Sequence, residues 1–318
     1  MKYVGLLRQQ SSNNVKSILL LIMFPVLLLG LLWIFCALAF YGSGGYYDPD
    51  GFYYMSSGEA FATYAPVVVG VTAIWFLIAY ALNSWMISNA THSKPLERRE
   101  NKRVYNLVEN LCMANGMTMP KVNVMEDDAL NAFASGISKN SYTVTLSRGI
   151  INRLDDQELE GVIAHELTHI RNRDVRLLIV SIIFVGIFTY IAQFAMRALW
   201  FSPSSNRGGK NGNSAVVMML IVAALAAIGY FFSLLLRFAI SRKREFMADA
   251  GGAQMTKNPH ALASALRKIS GNPTIASVKR DDIAQLFIEH PLHKKSAFTS
   301  LFATHPSIQK RIEILEQF

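Results

Sequence analysis

The sequence predicts a mainly α-helical chain with a small β-sheet and four transmembrane helices. Of its 318 residues, 52% are hydrophobic and only 17% are charged, whereas a soluble domain carries about 25% charged residues. Most of the apolar residues lie in long runs instead of periodic stripes, which is typical of helices surrounded by lipid. Polar segments between and after these runs contain helix and strand patterns, which predict a folded domain outside the membrane.

Four apolar runs approach the ~20 residues that a helix needs to cross a bilayer. They cover residues 17–40, 65–85, 177–200 and 215–240. The first run follows three basic residues and resembles a secretory signal, but its apolar core is longer than the roughly 7–15 residues of a signal peptide. We therefore expect an uncleaved anchor.

The positions of Lys and Arg predict which side of the membrane each polar segment occupies, because they are retained on the cytoplasmic side. The loop at 41–64 has three acidic residues and no basic one, whereas 94–103 has five basic residues. We expect an integral membrane protein. Its predicted layout is a cytoplasmic N-terminus 1–16, two spans with an extracytoplasmic loop 17–85, a cytoplasmic domain 86–176, a transmembrane hairpin 177–240, and the second part of the cytoplasmic domain 241–318.

Charge and cysteine content exclude some classes of function. The formal net charge of +9 comes with basic residues that flank the apolar runs, so we expect no nucleic-acid partner. Cys36 and Cys112 cannot form a disulfide framework or a cysteine-rich zinc site. A reducing compartment is the natural location of such a domain.

The polar region carries the pattern of a small mixed domain. Alternation predicts strands at 121–125 and 142–146, while 131–134 fits either an edge strand or a buried loop. Asp155 and Glu158 form a capping-box pattern that opens a helix over 156–171. Later segments predict short helices, which cover 258–269, 282–289 and 306–317.

The helix at 156–171 contains a metal-site pattern. His165 and His169 are four residues apart, so both imidazoles lie on one face of the helix and can reach one ion. With Glu166 this is the zinc arrangement His-Glu-x-x-His, in which the glutamate is next to the metal without binding it. Because such a short pattern also occurs by chance, two ordinary helix histidines remain the alternative.

A third metal ligand is needed, and Glu245 and Asp249 are the candidates. They lie one helical turn apart directly after the fourth apolar run, and two crossings return the chain to the side of His169. Glu245 would then bind the metal and Asp249 would hold a ligand imidazole by a hydrogen bond. The alternative is a solvated acidic pair that offsets the basic residues at 242–244.

Taken together, these motifs resemble the HtpX-like membrane zinc peptidases, which are related to the endopeptidases that process prenylated CAAX proteins. The resemblance covers nearly the whole chain and rests on four pieces in order, which are Asn131-Ala132-Phe133-Ala134, His165-Glu166-Leu167-Thr168-His169, Glu245-Phe246-Met247-Ala248-Asp249, and Thr304-His305-Pro306 followed by Arg311.

This resemblance implies a zincin-type, gluzincin-like metallopeptidase domain with one Zn²⁺ per chain. It implies that His165, His169 and Glu245 bind the zinc and that Glu166 is the general base. Asp249 would support a ligand, and His305 and Arg311 would stabilise the transition state. The segment Asn131 to Ala134 would line the substrate cleft, where an extended peptide could add as a strand.

The function implied by the resemblance is zinc-dependent endoproteolysis of misfolded or damaged membrane proteins at the cytoplasmic face, in stress response and quality control. Unfolded membrane proteins and the lipid bilayer are the expected partners, and the oligomeric state stays open. One alternative is a CAAX-type prenyl-protein endopeptidase, although that branch usually has more spans. The other is a zinc-binding membrane scaffold or chaperone-like protein.

Overall fold

The computed structural model of the chain describes residues 6–40, 45–47, 49–180, 190, 193, 197, 211–272, 275, 286–289 and 306–318. The described part is mostly helical, with helices α1 Leu6–Ala39, α2 Ser57–Thr91, α3 Lys102–Ala114, α4 Arg148–Arg153, α5 Asp156–Asn172, α6 Asn211–Thr256, α7 Pro259–Ile269 and α8 Ile308–Leu315. Its strands are β1 Tyr46–Tyr47, β2 Tyr53–Tyr54, β3 Lys94–Pro95, β4 Lys121–Met125, β5 Ala132–Ser135 and β6 Thr143–Ser147.

The chain forms two compact units. The first consists of Met1–Ser17, Tyr80–Ile182 and Arg237–Phe318, and it contains the sheet and all of the described candidate site residues. The second consists of Ile18–Ala79 and Ile183–Leu236. Both units are built from segments that are distant in sequence, so each unit depends on long-range contacts.

Two of the four predicted transmembrane helices are long and apolar enough to cross a membrane. The apolar windows Ile22–Ala39 and Ser57–Thr91 have mean hydropathies of 2.6 and 2.1. The third predicted span is described only at 177–180, 190, 193 and 197. The fourth lies within α6, where the described residues give a shorter apolar stretch, Ile221–Phe231. Four spans are therefore not confirmed.

In the second unit, a short aromatic hairpin connects α1 to α2. Its strands β1 and β2 pair antiparallel, with Tyr46 opposite Tyr54. The Ser57 hydroxyl at the start of α2 donates to the carbonyl of Phe40 at 3.3 Å, and the Tyr53 hydroxyl donates to Glu59 at 2.6 Å. The ends of the two apolar helices are thereby held together at the hairpin.

A four-stranded sheet forms the centre of the first unit. Its order is β3-β4-β6-β5, with β4 and β6 parallel and the two outer strands antiparallel to their neighbours. The segment at 131–134, for which a strand and a buried loop were both open, is thus largely the outer strand β5. All four of its predicted residues are buried.

The segment at 286–289 contacts the outer edge of β5. Phe287 pairs antiparallel with Phe133, and the Ile288 N–H donates to the carbonyl of Ala132 at 2.9 Å. The prediction of a helix over 282–289 is therefore wrong for 286–289. Backbone hydrogen bonds to an open strand edge outweigh the weak local helix preference of this segment.

Helix α5 packs against the sheet, at β5 and β6. The predicted capping box is confirmed, because the Asp155 side chain accepts from the Glu158 N–H and the Glu158 side chain accepts from the Asp155 N–H. Its apolar face is fully buried, at Leu159, Val162, Ile163 and Leu167. A rigid start and a buried face hold the His-Glu-x-x-His residues in place.

Two glycines bring α6 close to α5 at the motif. A Cβ on Gly251 would lie 2.4 Å from Cγ2 of Thr168, and a Cβ on Gly252 would lie 3.1 Å from the backbone nitrogen of His165. Only glycine permits the first of these approaches without displacement of the buried Thr168 side chain. This close packing delivers the residues just before Gly251 to the histidines.

Candidate active site

The structure brings the three predicted metal ligands together. His165 Nε2 and His169 Nε2 lie 3.2 Å apart, and the carboxylate oxygens of Glu245 lie 3.7 Å from the first and 3.5 Å from the second. One ligand atom from each residue lies within 4.8 Å of the others. Among the described residues, this is the group of histidine, cysteine and acidic side chains that could hold a metal ion.

The arrangement of donors fits zinc. Donors about 2.0–2.1 Å from a tetrahedral ion are about 3.3 Å apart, close to the observed separations. Both Nδ1 atoms are engaged elsewhere, by Asp249 at 2.9 Å and Asp174 at 3.1 Å, so each imidazole presents Nε2 to the same point. Within the described part of the chain, the site offers two nitrogens and one carboxylate, which is the number of protein ligands in a catalytic zinc site with an open fourth position.

Asp174 is a site residue that sequence reasoning missed. In a continuous helix it would point about 140° away from His169, because each residue turns the helix by 100°. Arg173 instead adopts a left-handed conformation, with φ of 61°, and ends α5. The turn redirects the next residue toward His169. The signal available in the sequence was only an acid soon after the motif.

Asp249 and Arg311 form a buried ion pair behind His165. The Arg311 Nε and Nη2 atoms donate to the two carboxylate oxygens of Asp249 at 2.8 and 2.7 Å. Nη1 donates to the carbonyl of Ile288 at 3.0 Å, and the side chain is fully buried. Burial raises the pKa of Asp249, but the charge of Arg311 outweighs this effect and keeps the pKa below its ordinary value.

Glu166 is a buried acid with an unused oxygen. Its residue exposure is 2%, and Oε1 has no hydrogen-bond partner among the residues that the structure describes. The carboxylate accepts a hydrogen bond from the Ala134 N–H. Burial, together with the charge of Glu245, raises the pKa of Glu166 to about 7. Such a group can exchange a proton near neutral pH.

The two histidines differ in their protonation in the absence of metal. Burial lowers the pKa of His165 to about 4. Burial acts the same way on His169, but the charges of Glu245 and Asp174 outweigh it and raise the pKa of His169 to about 9. A proton therefore occupies His169 at neutral pH, and a metal ion must displace it.

The predicted cleft residues lie beside the site, but the chain itself occupies their outer edge. Besides the Ile288 contact with Ala132, the Asn131 side chain donates to the carbonyl of Glu289 at 2.8 Å and accepts from its N–H at 3.4 Å. The rings of Phe133 and Phe287 are 4.7 Å apart. The remaining predicted catalytic residue, His305, lies outside the described residues.

A His-Glu-x-x-His helix, a glutamate from a later helix and a buried acid beside them define a metallopeptidase site. Comparison with known families agrees, because the model of peptidase family M48 matches residues 98–318. A protein named Protease HtpX homolog from Bacteroides fragilis is 56% identical over 324 aligned positions and covers 100% of both chains. The chain belongs to peptidase family M48 and is a metalloprotease.

Two less similar relatives carry the same name. A Protease HtpX homolog from Listeria monocytogenes is 38% identical, covering 77% of this chain and 84% of its own length. One from Lactobacillus helveticus is 32% identical, covering 79% and 85%. Among solved structures, the crystal structure of S. mikatae Ste24p matches with a TM-score of 0.48 and 18% identity. That match covers 80% of this chain and 58% of the other.

Proposed function

We propose that the protein is a zinc-dependent endopeptidase of a bacterial-type inner membrane that cleaves misfolded or damaged membrane proteins at the cytoplasmic face. The observation that carries this proposal is the meeting of His165, His169 and Glu245 around one point, with the unused Oε1 of Glu166 in the same buried site. A structural zinc site usually has four protein ligands. Three ligands and an adjacent acid favour catalysis over a scaffold.

Glu166 performs the proton transfers in the proposed mechanism. Zinc held by the three ligands would polarise the scissile carbonyl and lower the pKa of the attacking water. The Glu166 carboxylate accepts the proton of that water and later delivers it to the nitrogen of the leaving amine. Burial raises the pKa of Glu166 in the metal-free site, and this favours a group that is a base first and an acid afterwards.

Asp249 and Arg311 support the ligand His165 in this proposal. The Asp249 carboxylate accepts from Nδ1 of His165, which fixes the tautomer with Nε2 free for the metal. Arg311 fixes Asp249 in turn. Direct stabilisation of the transition state by Arg311 and His305 stays a prediction from the family resemblance.

Substrate would bind as an added strand at Asn131 to Ala134. The chain's own segment 286–289 already makes a contact of this kind, through the backbone hydrogen bond from the Ile288 N–H to the carbonyl of Ala132. The Glu289 N–H adds a hydrogen bond to the Asn131 side chain. It follows that a substrate can add at this edge only if 286–289 moves away. Since backbone contacts read no side chain, broad sequence specificity would result, as unfolded substrates require.

The location is supported by the sequence and by two helices. The windows Ile22–Ala39 and Ser57–Thr91 are long and apolar enough to cross a membrane. The cluster of basic residues at 94–103 follows the second helix, and the acidic loop precedes it. These charges favour a cytoplasmic catalytic domain, where exposed segments of damaged membrane proteins would be accessible.

Metal analysis combined with substrate cleavage tests the proposal. The full chain, purified in detergent, should contain one zinc per molecule and should cleave casein and an unfolded membrane protein. Removal of the zinc by a chelator should abolish cleavage, and added zinc should restore it. A protein that binds zinc but never cleaves either substrate would be a scaffold, and the proposal would be wrong.

A further inference from the structure

Each of the two metal-facing histidines has a buried carboxylate behind it. His165 Nδ1 lies 2.9 Å from Asp249, and His169 Nδ1 lies 3.1 Å from Oδ2 of Asp174. Asp249 and Asp174 are each 2% exposed. The two acids come from different segments of the chain, and nothing in the His-Glu-x-x-His pattern itself requires the second one.

The backbone next to Asp174 has a conformation that serves this contact. Arg173 is in the left-handed region, which a residue with a side chain rarely adopts. Its N–H donates to the carbonyls of His169 and Ile170, which closes the end of α5. Helix resumes at 174, so Asp174 is the first residue of a new helical segment that is described as far as 180.

Arg244 connects this turn to the helix that carries the third ligand. It precedes Glu245 in α6, is 8% exposed, and donates from Nη1 to the backbone carbonyl of Asp174 at 3.2 Å. Asp174 therefore contacts His169 through its side chain and α6 through its backbone. A single residue joins the segment that bears His169 to the segment that bears Glu245.

We infer that Asp174 is a positioning residue of the metal site, which rests on the proposed zinc function. Its carboxylate fixes the His169 ring with Nε2 toward the metal position. Its backbone carbonyl accepts a hydrogen bond from Arg244, which keeps the His169 ring beside Glu245. Removal of a carboxylate that holds a metal-ligating histidine typically weakens metal binding by about 10- to 100-fold.

The zinc affinity of Asp174 variants tests this inference. Metal-free full-length protein in detergent is titrated with zinc in competition with a chromogenic chelator. Asp174→Ala should bind zinc about 10- to 100-fold more weakly than the wild type. Asp174→Asn keeps an oxygen that can accept from Nδ1, so its affinity should lie between the two. This order of affinities does not depend on peptidase activity.

Glu158→Gln provides the matched control for a purely structural effect. Glu158 is also a buried acid of the same region, 4% exposed, and it caps α5 and contacts Lys268 at 2.6 Å and Ser264 at 2.7 Å. It touches neither histidine in the described contacts. This variant should unfold at a lower temperature yet keep the zinc affinity of the wild type.

Three outcomes would overturn the inference. If Asp174→Ala binds zinc as tightly as the wild type, Asp174 does not position the ligand. If Glu158→Gln loses the same factor in affinity, the loss reflects helix stability and not the contact with His169. If the wild type itself binds no zinc, the proposed zinc enzyme fails and this inference fails with it, so the two failures are distinguishable.

Discussion

Arg311 and Asp249 are joined by two parallel hydrogen bonds of 2.8 and 2.7 Å in a region without solvent access. The oxygen of Asp249 that accepts from Nη2 of Arg311 also lies 2.9 Å from Nδ1 of His165. A guanidinium matches a carboxylate in this fork geometry better than an ammonium does. Arg311, in the last helix, thus supports the first metal ligand through this buried acid, and its Nη2 atom also lies 3.4 Å from Nε2 of His165.

Replacement of Arg311 should destabilise the fold. Arg311→Met leaves Asp249 buried without its cation, and breaking a buried pair in this way costs about 3–5 kcal/mol of unfolding free energy. Thermal unfolding of the metal-free variant in detergent measures the loss. Arg311→Lys keeps the charge but not the fork, so its stability should be intermediate.

The double variant Arg311→Met with Asp249→Leu is the control for this prediction. It removes both charges, and apolar replacement of a buried pair is often neutral, so it should be more stable than Arg311→Met alone. If Arg311 acted only on the transition state of the substrate, Arg311→Met would instead unfold like the wild type and lose activity alone.

Glu166→Gln should abolish peptide hydrolysis while the protein keeps its zinc. The amide cannot accept the proton of the attacking water, and loss of a general base lowers the rate by about 10²- to 10⁴-fold. Zinc content and casein cleavage are measured on the same preparation. His165→Ala is the comparison, because it should lose both zinc and activity. Full activity in Glu166→Gln would exclude Glu166 as the base.

Zinc affinity should rise with pH between about 7 and 9. The pKa of His169 in the metal-free site is about 9, so zinc must displace a proton, and affinity should increase by up to about tenfold per pH unit. Calorimetry in buffers of different ionisation enthalpy should detect release of about one proton at pH 8. An affinity that does not change over this range would contradict a protonated His169.

The same group makes the stability of the metal-free protein depend on pH. The pKa of His169 is raised above the value of about 6.5 for an unfolded histidine. Protonated His169 therefore stabilises the folded state fully below about pH 6.5, and this contribution to the free energy of unfolding is lost as the pH rises through about 9. The unfolding temperature of the metal-free protein should fall between pH 7 and 9, and it should fall less in His169→Gln.

Local patterns predicted the two halves of the site separately, because each half lies within one or two helical turns, whereas their meeting depends on the packing of α6 on α5. The capping box of α5, the spacing of His165 and His169, and the pair Glu245 and Asp249 are all short-range features. Asp174 was missed because a left-handed residue interrupts the periodicity on which helix reasoning depends. Segment 286–289 was misassigned because a long-range strand partner determines its conformation.

A disulfide between 286–289 and β5 should prevent substrate binding. Phe133 and Phe287 are paired antiparallel, and such neighbours have Cα atoms about 4.5–5.5 Å apart, which a disulfide can span. The variant Phe133→Cys with Phe287→Cys is prepared with Cys36 and Cys112 replaced by alanine. When oxidised it should lose most of its casein cleavage, because the segment can no longer leave the edge of β5.

Addition of a phosphine reductant should restore the activity of this locked variant, so each preparation is its own control for the two lost phenylalanines. The matched pair is Ser135→Cys with Thr143→Cys, which joins β5 to β6 in register. Those strands need not separate, so its oxidation should not change cleavage. If the oxidised Phe133–Phe287 lock cleaves casein as fast as its reduced form, substrates do not add at Asn131 to Ala134, and 286–289 is a permanent strand of the sheet.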